Sequence, residues 1–201
     1  FYDLVDVRIP EATILKPLRP AALSCRTHLL GRIFDIMGGV LGQGAPEALN
    51  AAGFSDSPHL MYSGYDKNGE WYQLFQIGFG GIPGRPVGDG PDGHSLWPAF
   101  TNVPNEYLEA YFPMRIVEYS SIPDSGGAGR YRGGLAIVRE FRLLAGEAMI
   151  TVRSDKRRFP PYGLHGGQPG SPSMNIVNPG PQQRVLPVLF TQPVMLRQGD
   201  L

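Results

Sequence analysis

The chain has 201 residues, with 18 Lys and Arg against 18 Asp and Glu, for a net charge of +0. That length allows one substantial core or two small ones. The charge balance excludes the strongly basic surface that a nucleic-acid partner demands, and no polybasic patch or bilayer-length apolar run points to a membrane.

Charged residues make up only 18% of the chain, below the usual quarter, which predicts surface hidden in an assembly. The single cysteine, Cys25, excludes an internal disulfide and fits a reducing, cytoplasmic setting. The 27 glycines and 20 prolines lie between apolar, aromatic-rich runs and read as rigid turns rather than disorder.

Residues 1–20 read as an extended arm with three prolines. From Pro20 to about Gly42, Leu29, Leu30, Ile33, Phe34, Met37 and Val40 recur at helical spacing, which predicts the long helix of the chain. Cys25 falls on it as a packing residue rather than a nucleophile. A shorter helical piece is expected near Pro46–Ala52, with proline in its first turn. The period then changes. Leu60–Tyr65 and Trp71–Phe79 read as strands joined by a hairpin at Asp66–Glu70, with Asn68-Gly69 as the turn signal. Residues 80–105 form a long Gly/Pro loop, Glu106–Tyr111 a helical turn, and Met114–Tyr119, Leu135–Leu144 and Glu147–Arg153 further strands. Residues 159–172 are a second Gly/Pro loop, and Ser173–Asn178 and Val185–Phe190 read as short strands. The class is α+β: one long N-terminal helix, then a strand-rich region with long Gly/Pro loops and no internal domain boundary.

Three constellations could carry chemistry. The loop from Gly80 to Pro98 holds Arg85, Asp89, Asp92 and His94. Two carboxylates and an imidazole so close in sequence suit metal binding or proton transfer; equally, the aspartates suit Asx-turns and His94 a backbone cap. Long loops of this kind are often functional, which favours a substrate-side role for His94. Asn102 and Asn105-Glu106 precede a helical turn and read as caps, while Glu106 and Glu109 could hold Arg85 or Arg130. Asp124-Ser125-Gly126-Gly127-Ala128-Gly129-Arg130-Tyr131-Arg132-Gly133-Gly134 is either a tight strand-to-strand corner or a loop pressed against an anion. It matches neither a dinucleotide fingerprint nor a phosphate loop, and no Gly-Lys pair occurs in the chain. The four histidines have no zinc-ligand spacing, so no metal ligand is assigned to any residue.

This glycine-arginine segment, together with Gly88-Asp89-Gly90, Asn102-Val103-Pro104-Asn105-Glu106 and Pro160-Pro161-Tyr162-Gly163-Leu164-His165-Gly166-Gly167, resembles the hydantoinase B/oxoprolinase family. The resemblance covers essentially the whole chain in the right order. Members of the family are longer, so it implies a fragment of a catalytic B-type subunit, with any divalent-metal ligands in an upstream part. It implies an ATP-dependent, hetero-oligomeric enzyme. A hydantoinase A-like partner would carry ATP and phosphorylate a carbonyl oxygen of a small-molecule substrate. The B-type subunit would take the activated intermediate through hydrolysis of a cyclic amide, of hydantoin or 5-oxoproline type. The related ketone carboxylases give a second expectation, and Asp92-Gly93-His94-Ser95-Leu96-Trp97-Pro98 looks more like that branch. A non-catalytic assembly module is the third. The expected site comprises His94 and Asp89 as catalytic groups, with Arg85, Asp92, Asn102 and Arg130 binding substrate.

Overall fold

A hairpin starts the main sheet. In the computed structural model, which describes residues 4–24, 26–55, 58–95, 100–188 and 192–201, β1 (His59–Tyr65) and β2 (Trp71–Ile77) pair antiparallel from Tyr65↔Trp71 to His59↔Ile77. The turn follows from its residues. Oδ1 of Asp66 accepts the N–H groups of Asn68 (2.8 Å) and Glu70 (2.9 Å), and Gly69 takes a φ of 79° that a side chain would resist. The same bonds, that of Glu70 first, hold the Asp66 carboxyl below its ordinary range.

β2 alternates strictly, with Tyr72, Leu74 and Gln76 inward and Trp71, Gln73 and Phe75 outward. β5 (Glu147–Arg153) does the same with Ala148, Ile150 and Val152. Including β8 (Val194–Arg197), the antiparallel order is β2-β1-β5-β8. A separate ribbon joins β3 (Met114–Ser121) to β4 (Ile137–Leu143), with a register shift between Ile116 and Glu118. The two-residue strands β6 (Ile176–Val177) and β7 (Arg184–Val185) form a third pair. The core gathers the inner face of the main sheet, the start of the ribbon and Leu108, which is fully buried on the short helix α2 (Asn105–Tyr111). The fold is α+β, as expected.

The long helix α1 spans Arg26–Leu41, starting later than Pro20. Upstream, the hydroxyl of Ser24 accepts a bond from Arg153 (3.3 Å), which ties that segment to the end of β5. Gly31 is the buried position of α1, and a Cβ there would meet the main-chain carbonyl of Ser55. Phe34, Ile36 and Val40 are exposed. Cys25, residues 96–98 of the long loop and residues 189–190 of the expected last strand lie outside the described residues.

Three local expectations are corrected. The helical piece at 46–52 is a single 3-10 turn, Pro46–Ala48, because the amides of Ala51 and Ala52 donate instead to Gly84 (3.2 Å) and Tyr162 (3.0 Å). The N-cap of α2 is Pro104 and has no side-chain cap. Asn102 donates to the Tyr119 hydroxyl (2.7 Å), and Asn105 accepts from Arg139 (3.0 Å). Glu109 accepts the amide of Ile116 (2.9 Å) and so helps fix the ribbon to α2, not an arginine of the loops.

Candidate functional site

The three Gly/Pro segments meet in a stack held mainly by backbone. The loop after β2 folds onto itself through Gly80 and His94, which exchange both hydrogen bonds (3.2 and 2.8 Å), and through Ile82 N–H to Pro91 C=O (3.0 Å). It is then zipped to the glycine-arginine segment. Gly90 donates to Arg132 (2.9 Å), Gly93 to Leu135 (3.0 Å), and Gly134 to Ile82 (2.8 Å). The third segment lies on the other side, where Gln168 donates to Ala128 (2.7 Å) and Ser171 to Ser125 (2.9 Å).

The glycines serve close approach here. A Cβ on Gly134 would run into the carbonyl of Pro91, and one on Gly127 into the carbonyl of Gln168. Among the described residues the glycines with positive φ are Gly69, Gly93, Gly166, Gly180 and Gly199, none of them in the 126–134 segment. From Gly126 to Gly134 the tight corner therefore rests on close packing, and the left-handed residue of the segment is Asp124, with a φ of 57°.

Side chains brace the same stack. Arg132 forms a fork on Asp92, with Nη1 to Oδ1 at 2.6 Å and Nη2 to Oδ2 at 3.1 Å, and the Leu135 amide adds a third bond at 2.8 Å. The Arg132 fork, with that amide, lowers the Asp92 carboxyl pKa, and Asp92 raises that of Arg132 in turn. Asp89 Oδ1 accepts the Arg132 amide (2.9 Å), and the Asp89 main-chain oxygen accepts from Arg85 Nη2 (3.0 Å). Buried Ser125 donates to Ile122 and accepts from Ala136, both at 2.7 Å.

A cleft of about 380 Å³ opens between these loops and residues 46–54. Arg85 and Arg130 line it, with Glu47, Tyr131, Tyr162 and His165. The Arg130 guanidinium lies 5.4 Å from the Tyr131 ring centre. The Tyr162 hydroxyl donates to the main-chain oxygen of Asp35 on α1, and burial, followed by the nearby Asp35 charge, raises its pKa. That oxygen therefore reads as a fixed hydrogen-bond donor, not a base. A volume of this size suits a small molecule.

Of the residues singled out in the sequence, Arg85 and Arg130 come together at the cleft. Asp89 and Asp92 sit beside it as braces of the glycine segment. His94 does not line it; its Nδ1 lies 2.7 Å from the Ser95 carbonyl, which makes Nδ1 the protonated nitrogen. Asn102 is also outside the lining, at the ribbon. Sequence reasoning did not single out Tyr162, His165 or Glu47, although the Pro160–Gly170 motif contains the first two. It also missed a buried network beneath the cleft wall, in which Asp35 accepts from Lys156 and from Ser55 (2.5 Å), and Arg32 reaches Asp155 at 2.6 Å.

Among the described residues no group of three or more His, Cys, Asp or Glu side chains is placed to hold a metal ion. The described residues therefore do not form a metal site by themselves. Among the described residues no lysine lines the cleft. No helix among the described residues is long and apolar enough to cross a membrane.

The sequence profile of the Hydantoinase B/oxoprolinase family matches residues 1–201. The chain belongs to that family. An uncharacterized protein of Methanocaldococcus jannaschii is 33% identical over 171 residues, covering 85% of this chain and 30% of its own length. The caprolactamase subunit beta of Pseudomonas jessenii is 27% identical over 181 residues, covering 83% of this chain and 30% of its own. This hydantoinase B/oxoprolinase chain thus spans 30% of the length of each of these relatives. In three dimensions it is similar to acetone carboxylase in a nucleotide-free structure, with a TM-score of 0.57, 20% identity, and coverage of 72% of this chain and 20% of that one. That likeness concerns the fold.

Proposed function

We propose that the chain is part of the B-type subunit of an ATP-dependent hydrolase that opens a cyclic amide after an A-type partner has phosphorylated the carbonyl oxygen. The family match over residues 1–201 carries this reading. A relative named as a caprolactamase subunit beta supports both the cyclic-amide chemistry and a hetero-oligomer. The absence of a Gly-Lys pair fits ATP bound on the partner subunit. The setting is cytoplasmic.

The cleft between the glycine loops is the part of the site that this chain supplies. Arg85 and Arg130 contact the substrate, while Tyr162, its hydroxyl proton given to the Asp35 carbonyl, anchors the cleft wall to α1. Asp89 and Asp92 are positioning residues that keep the glycine segment on the loop after β2. His94 acts from outside the cleft lining through Nε2, since Nδ1 is held by the Ser95 carbonyl. The test is ADP release by the full-length protein with its A-type partner, offered hydantoin, 5-oxoproline or caprolactam. Turnover without bicarbonate is the expected result. Silence with every cyclic amide overturns it.

A second reading, ATP-dependent ketone carboxylation, is favoured by the resemblance of Asp92–Pro98 to that branch. ADP release that needs both a ketone and bicarbonate would establish it. In the third, the chain is an assembly module; substitutions at Arg85, Asp89 and His94 that alter assembly and leave turnover intact would favour it.

A further inference from the structure

We infer that the cleft is an anion site: the segment Gly126–Tyr131, with Arg85 and Arg130, holds a phosphoryl or carboxylate group of the substrate. This rests on the reading of the cleft as the substrate site and names the chemistry of what enters it.

Two independent features point there. The first is backbone. Among the described residues the amides of Gly126, Gly127, Ala128, Gly129, Arg130 and Tyr131 have no acceptor within the chain, although all six residues line the cleft. The next two amides are both taken, Arg132 by Asp89 and Gly133 by Gly127 at 3.0 Å. The unpaired run therefore coincides with the cleft wall. A main-chain N–H with no acceptor of its own is a donor that an anionic oxygen can take up.

The second is charge. The acids of this region serve Arg132: Asp92 through its fork, and Asp89 through the Arg132 amide. Arg85 receives only the neutral main-chain oxygen of Asp89, and Arg130 only the face of Tyr131. Among the described residues neither has a carboxylate within 4.0 Å. In the lining, Glu47 is the one acid against these two arginines. Among the described residues two cations in one hollow thus lack counter-ions. Guanidinium forks match phosphate and carboxylate oxygens in pairs.

The experiment measures binding of inorganic phosphate and of acetate to the full-length protein with its A-type partner, by calorimetry at fixed ionic strength without ATP. Arg85→Gln and Arg130→Gln are compared with Arg142→Gln, which removes the same charge from an exposed position on β4 outside the cleft. Thermal melts confirm that each variant is folded. The expected result is binding that weakens roughly tenfold in each cleft variant, partly recovers in Arg130→Lys, and is unchanged in Arg142→Gln. Phosphate binding tighter than acetate assigns the phosphoryl group, and the reverse order the carboxylate. No binding of either anion overturns the inference, as does equal weakening in Arg142→Gln or none in the cleft variants. Because this readout needs no turnover, anion binding without cyclic-amide hydrolysis would sink the hydrolase reading alone. Hydrolysis without anion binding would sink the anion site alone.

Discussion

The main sheet and the loop stack are held by different means. In the sheet, side chains do the packing: Tyr62, Leu74, Ile150 and Val152 alternate inward and close on Leu108 and Met114. In the loop stack the backbones themselves are in contact, with Gly126, Gly127 and Gly134 leaving room for carbonyls, and Asp89 and Asp92 pinning the layers together. The first design tolerates change of shape at a cost in volume. The second tolerates almost no added atom, and it is the one that forms the cleft.

Damage to each region should stay in that region. Leu108→Ala should have the largest effect, a loss of about 2–5 kcal/mol in denaturant unfolding, because a fully buried side chain leaves a cavity between α2 and the sheet. Faster amide exchange across β5 should accompany it. Gly134→Ala should cost about 1–3 kcal/mol, since a backbone carbonyl cannot rotate away from the new Cβ as a side chain would. Its exchange signature belongs at Gly90 and Gly93, with β1 and β5 still protected. Equal disturbance of sheet and loops by Gly134→Ala would erase the distinction.

A pH measurement sharpens it further. His59 is buried at the start of β1, with its ring 4.5 Å from that of His28 on α1 and tilted by 28°. His28 Nε2 lies 3.2 Å from the Arg153 carbonyl and 3.3 Å from His59 Nδ1, so His28 is the donor and His59 the neutral acceptor. Burial, then the His28 and Arg153 charges, lower the His59 pKa from 6.5 to about 4. A lowered pKa on a base means that the unfolded chain binds the proton more readily. The contribution of His59 is therefore complete above pH 6.5 and declines as pH falls from 6.5 towards 4. Melting temperature followed over that window should fall in the wild type and flatten in His59→Gln. An unchanged slope would remove His59 from the account. The smallest expected effect is that of Asp92→Asn, in which one arm of the Arg132 fork and the Leu135 bond weaken at an exposed site. Little change in melting, with faster exchange at the Leu135 amide, is the expected pattern.

The sheet was legible because period-2 alternation is written into Trp71–Ile77 and Glu147–Arg153, and because Asn68-Gly69 marks its hairpin. β8 was not, since four residues after a proline carry little pattern and are strands only because β5 offers an edge. The helical piece expected at 46–52 was lost to tertiary amide bonds that no local window contains. The loops were conspicuous as glycine and arginine, but spacing does not say which carbonyl a glycine faces. Nor does it say which of two neighbouring arginines is paired: Arg132 meets Asp92 from 40 residues away, and Arg130 does not. Asp89 and Asp92 suit chemistry and bracing for the same reason, as short carboxylates in a tight loop, and the bracing is what the hydrogen bonds display.

The most direct test is ADP release by the full-length protein with its A-type partner and a cyclic amide, comparing wild type with a variant carrying both Arg85→Gln and Arg130→Gln. Substrate-stimulated ADP release without bicarbonate is expected in the wild type, and its loss in the folded variant. Undiminished release in that variant would contradict the assignment of the cleft as the substrate site.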